Sequence, residues 1–103
     1  MKTSPTQRTL KKLRDEGYVC AIVEHWNQWA KIRQDLFGFI DIVAIKDTET
    51  LGVQTTSGSN TNARVNKILE NKYYPLVKKA GWKIVVHGWR KLKSGWACKE
   101  ENL

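Results

Sequence analysis

The chain lacks any apolar run approaching the length of a membrane span, and its first residues, MKTSPTQRTLKKLRDEG, lack the apolar core of a secretion signal. The expectation is a protein without membrane contact in a reducing cytoplasm, where its two cysteines, Cys20 and Cys98, stay as free thiols. Their separation fits neither a C-x-x-C redox pair nor a zinc site, and with only two histidines, His25 and His87, the chain is short of ligands for structural zinc. There is no low-complexity tract and no internal repeat. A length of 103 residues has room for one domain, 1–103, with a single modest core. Acidic residues are also scarce: 10 Asp and Glu stand against 18 Lys and Arg, a net charge of +8. The excess is spread along the chain. Such a surface suits a polyanion, although a small protein also carries one sign of charge for solubility alone.

Five tryptophans are present, Trp26, Trp29, Trp82, Trp89 and Trp96, each able to stack on a base or to fill a small core. The order of elements starts with a helix: Ser4, Pro5 and Thr6 supply a cap and a first-turn proline, Leu10 and Leu13 share a face, and Gly17 stops it. YVCAIVEHW, residues 18–26, reads as a first strand, NQWAKIRQ as a polar connection, and DLFGFIDIVAI as a second strand. KDTET makes a turn into LGVQTTS, a third strand. GSNTN offers N-caps for a long helix in which Ile68, Leu69, Tyr73, Leu76 and Val77 recur at helical spacing, with Pro75 kinking it or ending a segment. WKIVVHGW is a fourth strand, and WACKEE a short fifth. The short KDTET link predicts an antiparallel hairpin, and the long helix a crossover to a parallel fourth strand. The fold class expected is α/β, a mixed sheet flanked by helices.

In that hairpin Asp41 interrupts an apolar strand, and Gln54 and Thr56 interrupt the next. Alternation puts Asp41 on the side of Phe39 and Val43, and Gln54 on the side of Gly52 and Thr56. In an antiparallel hairpin those sides can coincide. A carboxylate in such a place is costly unless paired, by a divalent metal or an arginine, or unless it sits at a frayed strand edge.

The stretch DxxGxxDIVAI, a turn, and a short strand carrying Q-x-T before a Ser/Gly/Asn-rich helix start resembles the core of the PD-(D/E)XK nuclease superfamily, in particular its small Holliday-junction-resolvase-like and phage-type members. The resemblance spans nearly the whole chain and implies a restriction-endonuclease-like αβββαβ core. Asp41 aligns with the family's metal-binding Asp, Gln54 with the Glu and Thr56 with the Lys of its E-x-K motif. It implies metal-dependent hydrolysis of DNA, branched or linear, with Mg²⁺ or Mn²⁺ as cofactor.

That chemistry needs a hard cation held by oxygen ligands. Asp41 and Gln54 are metal-ligand candidates, joined by Glu24 near the end of the first strand. Asp35 is a fourth, roughly 20 Å from Asp41 were the intervening strand fully extended. The catalytic set is thus Asp41, Gln54, Thr56 and Glu24, with Lys67 or Arg64 on the following helix supplying the cation that Thr56 does not. Arg33, Ser57, Asn60, Arg64 and Lys67 are candidate nucleic-acid contacts, Arg33 having a competing use as partner of Asp35. His87 could serve as a base or remain structural. Two further readings are a nucleic-acid-binding module on the same fold that has lost cleavage, and an assembly protein using exposed tryptophans. A homodimer is expected by analogy with resolvases.

Overall fold

The structure, a computed structural model, describes residues 3–103 and begins with the expected capped helix. The Ser4 hydroxyl accepts from the Gln7 amide at 3.2 Å, Pro5 occupies the first turn, and α1 runs Pro5–Asp15 with Thr9, Leu10 and Leu13 buried. Gly17, at φ +97°, releases the chain into β1, Val19–Ile22. The first strand is shorter than expected. Residues His25–Asn27 (β2) and Ile32–Gln34 (β3) instead pair with each other as a separate antiparallel hairpin, so NQWAKIRQ is a turn and a strand.

The second strand also starts late. Between Asp35 and Asp41 the chain folds into a compact turn in which Phe37 and Gly38 both take positive φ, and β4 covers only Ile42–Lys46. Asp47 and Thr48 then turn it into β5, Glu49–Ser57, in the predicted antiparallel register, with Ile42 opposite Val53. A short 3-10 turn, Gly58–Asn60, leads into α2, Thr61–Leu69. The expected long helix is broken: the Asn71 Oδ1 accepts from the Tyr73 amide at 2.7 Å, and α3, Tyr74–Lys79, restarts with Pro75 in its first turn. The break rotates the apolar stripe, so Ile68 and Val77 are buried while Leu69, Tyr73 and Leu76 are exposed. Strands β6, Lys83–Leu92, and β7, Gly95–Asn102, complete the chain.

The result is a mixed α/β fold around a five-stranded sheet of order β1-β4-β5-β6-β7. Among the described residues only the β5–β6 pair is parallel, as the helical crossover requires. Alternation divides the core into two. Leu10 and Leu13 of α1 pack on Ile42, Ala44, Leu51, Val53 and Val85 on one face; on the other, Ile68 and Val77 of the α2–α3 pair pack on Phe39, Ile40, Ile84 and Val86. Among the described residues no helix is long and apolar enough to cross a membrane.

At one place helix and sheet approach so closely that no side chain fits between them. A Cβ added to Gly88 of β6 would lie 1.9 Å from the Thr61 Oγ1 at the start of α2. Gly88→Ala should therefore destabilise the protein by about 1–3 kcal/mol in chemical denaturation. Adding Thr61→Ala, which removes that oxygen, should recover part of the loss; an additive double variant would contradict this contact.

Candidate active site

Three backbone segments converge on Asp41. Its own N–H donates to the Val53 carbonyl of β5, and its carbonyl accepts from the Val23 amide just past β1, each at 2.8 Å. Glu24, the next residue after Val23, is thereby carried alongside. The turn over 35–38 does the same for Asp35: the Gly38 amide donates to the Asp35 carbonyl at 3.0 Å, and Leu36 and Ile40 exchange backbone bonds in both directions. Gly38 sits at φ +86°, a conformation glycine adopts without strain. Asn71 Nδ2 donates to the Phe37 carbonyl at 3.2 Å, and the Phe37 ring packs on Tyr73 and Trp82, docking the turn on the α2–α3 break.

The carboxylate oxygens of Glu24, Asp35 and Asp41 consequently lie within 4.8 Å of one another. The separation expected of Asp35 in an extended strand is corrected by this turn. Asp41 is only 3% exposed. Its Oδ2 accepts from Gln54 Nε2 at 2.9 Å, from the Thr55 amide at 2.8 Å and from Thr55 Oγ1 at 3.2 Å, and none of these donors uses Oδ1. Burial pushes the carboxyl upward and the two neighbouring carboxylates add to it, against the Thr55 amide, so that Asp41 is raised to about 7.

Around the acids lies a cleft of about 1180 Å³, whose walls include Ser4 and Thr6 of the α1 N-terminus, His25 and Arg33 of the hairpin, and Arg64 and Lys67 of α2. Among the described residues neither Arg64 nor Lys67 has an ion-pair partner, which leaves both cations available to an anion in the cleft.

Most of the residues singled out in the sequence meet here, with four corrections. Arg33 pairs with Glu24, at 3.1 Å, and not with Asp35. Gln54 presents its amide nitrogen to Asp41, so as found it orients that carboxylate. Thr56 is buried two residues along the same strand face and is absent from the cleft wall, where Thr55 stands instead. Ser57 and Asn60 bond each other at 2.9 Å in the 3-10 turn, also outside the wall.

His87 belongs to the opposite, α1-facing side of the sheet. The Trp89 indole donates to Thr9 Oγ1 at 2.8 Å, Thr9 in turn meets His87 Nδ1 at 3.1 Å, and Nε2 meets Glu100 at 3.2 Å. A carboxylate only accepts, so the neutral ring that bonds Glu100 carries its proton on Nε2, and Nδ1 accepts from the Thr9 hydroxyl. Burial holds the imidazole below its usual value. Although His87, Cys98 and Glu100 gather within 4.8 Å, more closely than their sequence spacing implies, both histidine nitrogens are engaged, and His87 is structural.

The sequence reading missed Thr55, whose backbone amide is the donor nearest Asp41, and the cleft-lining His25 and Thr6. The antiparallel register carried the signal for Thr55: a side chain opposite Gln54 also meets the following amide. No protein-family model matches the chain, and no curated protein matches it.

The raised carboxyl has a pH signature. Asp41 ionises more easily in the unfolded chain, near 3.8, than in the fold, near 7, so its contribution favours the folded state at low pH and is lost as pH rises through that window. Asn at position 41 keeps an acceptor for the Thr55 amide without the charge. In metal-free buffer Asp41→Asn should unfold at higher denaturant than the parent at pH 8, and the gap should close toward pH 4. Superimposable pH profiles would show that Asp41 carries no such burden.

Proposed function

We propose that the protein is a metal-dependent DNA endonuclease of the restriction-endonuclease-like, PD-(D/E)XK type. The observation that carries the reading is the meeting of Glu24, Asp35 and Asp41 within 4.8 Å at the floor of a cleft walled by Arg64 and Lys67. Three carboxylates so close repel one another, and a divalent cation relieves that repulsion while matching an all-oxygen donor set. The order of elements supports the same reading: an antiparallel β1-β4-β5 meander, a helical crossover, and a parallel β6, with α1 on the other face. The hairpin β2–β3 is an addition to the αβββαβ plan.

The residues fit a hard cation such as Mg²⁺ or Mn²⁺, held by Asp41, Asp35 and Glu24. When bound, such an ion polarises the scissile phosphate and makes a bound water a better nucleophile. Gln54 and Thr55 fix the Asp41 carboxylate through Oδ2 and leave its other oxygen free of these donors. Gln54 adds no charge, so the third carboxylate supplies what a glutamate at that position would. Arg64 and Lys67, one turn apart on α2, line the same cleft and would offset the charge of a phosphate held there, the task Thr56 cannot perform. The Arg33 guanidinium, beside Glu24, restrains that carboxylate in place.

Cleavage of labelled DNA, linear and branched, in Mg²⁺, Mn²⁺ or EDTA tests the activity. The parent should cut with either metal and not in EDTA. Asp41→Asn should lower the rate by about 100-fold or more, since even an outer partner of a metal ligand is worth 10–100-fold, while circular dichroism and DNA binding persist. A parent that binds DNA and never cuts, with every metal tried, would overturn the enzymatic reading in favour of a binding module.

Binding itself should be salt-sensitive. With six or more phosphates neutralised, affinity should fall on the order of a thousandfold between 50 and 200 mM salt. Arg64→Ala and Lys67→Ala should each lower the logarithmic salt slope by about one. A flat dependence would remove nucleic acid as the substrate.

A further inference from the structure

Among the described residues the most exposed large apolar side chain is Trp29, 96% accessible, at the turn of the β2–β3 hairpin. Its exposure is built into a well-bonded turn. Asn27 Oδ1 accepts from the Trp29 and Ala30 amides, each at 2.9 Å, the Lys31 amide donates to the Asn27 carbonyl at 2.8 Å, and Lys31 takes φ +57°. An asparagine that satisfies two successive amides fixes the backbone carrying the indole. Further down the hairpin Trp26 stands opposite Arg33 and is 57% exposed, and Ile32 is 51% exposed.

The hairpin has its own two-stranded ladder and pairs with no strand of the central sheet, yet its root is part of the acidic site. Asp35 follows β3 directly, and Arg33 holds Glu24. A groove of about 440 Å³ past Trp26 shares Ser4, Thr6, Glu24, His25 and Arg33 with the main cleft. From Asp35 to Lys31 at the tip is four residues of extended chain, roughly 13 Å. That is about the rise of four base pairs of duplex, at 3.4 Å each.

We infer that the β2–β3 hairpin is a stacking finger for unpaired bases, with Trp29 as its contact, and that it gives the site a preference for branched or partly single-stranded DNA over continuous duplex. This rests on the nucleic-acid reading of the cleft. The charge of the chain favours that occupant: it carries +8 in all, and Lys31 and Arg33 lie on the same hairpin as the indole. A duplex keeps its base faces stacked against one another and shows an indole only backbone and edges. An unpaired base presents an open π-face, on which an indole stacks with little regard to sequence. A finger rooted in the acidic cluster therefore aligns a strand emerging from a branch with the carboxylates.

The test uses the full chain carrying Asp41→Asn, in EDTA, so that binding is read without cleavage. A forked DNA with 2-aminopurine at its first unpaired positions is compared with a linear duplex of the same sequence. The fork should bind more tightly, and Trp29→Ala should weaken fork binding roughly tenfold while duplex affinity stays within about twofold. Trp29→Phe should retain most of the preference. The 2-aminopurine fluorescence should change on binding of the Trp and Phe forms and not of the Ala form, a readout that a merely structural role would not move. Because Trp29 touches little, its variants should unfold with the parent's midpoint.

Equal loss on fork and duplex, no loss on either, or absence of DNA binding overturns the finger. So does a homodimer that dissociates on Trp29→Ala while fork affinity is unchanged, since the indole then serves a second copy of the chain. Failure of the nuclease reading looks different. A Trp29-dependent fork preference in a parent that does not cut upholds the finger and removes the enzyme, whereas cutting indifferent to Trp29 and to branching does the reverse.

Discussion

The placement of a carboxylate at the entrance to β4 is the constraint on which the rest of the molecule turns. Asp41 is nearly inaccessible, and a buried carboxylate is tolerated only where donors or a counter-charge meet it. β5 provides the donors: the side chain opposite, Gln54, the amide that follows it, and the hydroxyl of Thr55. That requirement fixes the register of the β4–β5 hairpin independently of the apolar pattern. A one-residue slip would leave the charge without its amide and turn Ile42 and Val53 out of the core. The same backbone also receives Val23, so β1 and the acid that follows it are aligned by the same residue.

From that point the molecule divides its labour between the two faces of the sheet. The face under α1 is closed by leucines and sealed at its far end by the bonds among Thr9, His87 and Trp89. The face under α2 and α3 carries Asp41, Gln54 and Thr56 along with its apolar residues, and there the packing opens into the cleft. The break between α2 and α3 contributes to this opening. It gives Phe37 a seat between Tyr73 and Trp82 and brings Asn71 to the Phe37 carbonyl. A continuous helix would have offered neither.

These dependencies separate what could be read in the sequence from what could not. The hairpin, the parallel crossover and the facing of Asp41 toward Gln54 were all legible, because short links and strand alternation are local rules. The approach of Asp35 was not. It depends on two consecutive residues with positive φ, of which only Gly38 announces itself, and Phe37 accepts the strain while its ring is seated by residues more than thirty positions away. NQWAKIRQ was opaque for a similar reason: it lacks alternation, and its strand is set by one asparagine side chain closing the turn. The helix break was signalled by Pro75, but its position four residues earlier was set by the side chain of Asn71. Thr56 was misplaced by motif alignment, while geometry selects its neighbour, since an amide adjacent to the facing residue lies closer to Asp41 than the next side chain on that face.

The sealing of α1 ties one side of the cleft to the sheet. Thr9 is tied to two residues of β6, and one turn earlier the same helix presents Ser4 and Thr6 to the cavity, where the Thr6 hydroxyl lies 3.1 Å from that of Thr55. The wall on this side is effectively continuous with the sheet. Its counterparts are a hairpin outside the sheet's ladder and a helix that ends at a break. The cleft is therefore built asymmetrically: one bank is tied to the sheet by side-chain hydrogen bonds, and the other two elements stand outside the sheet's ladder.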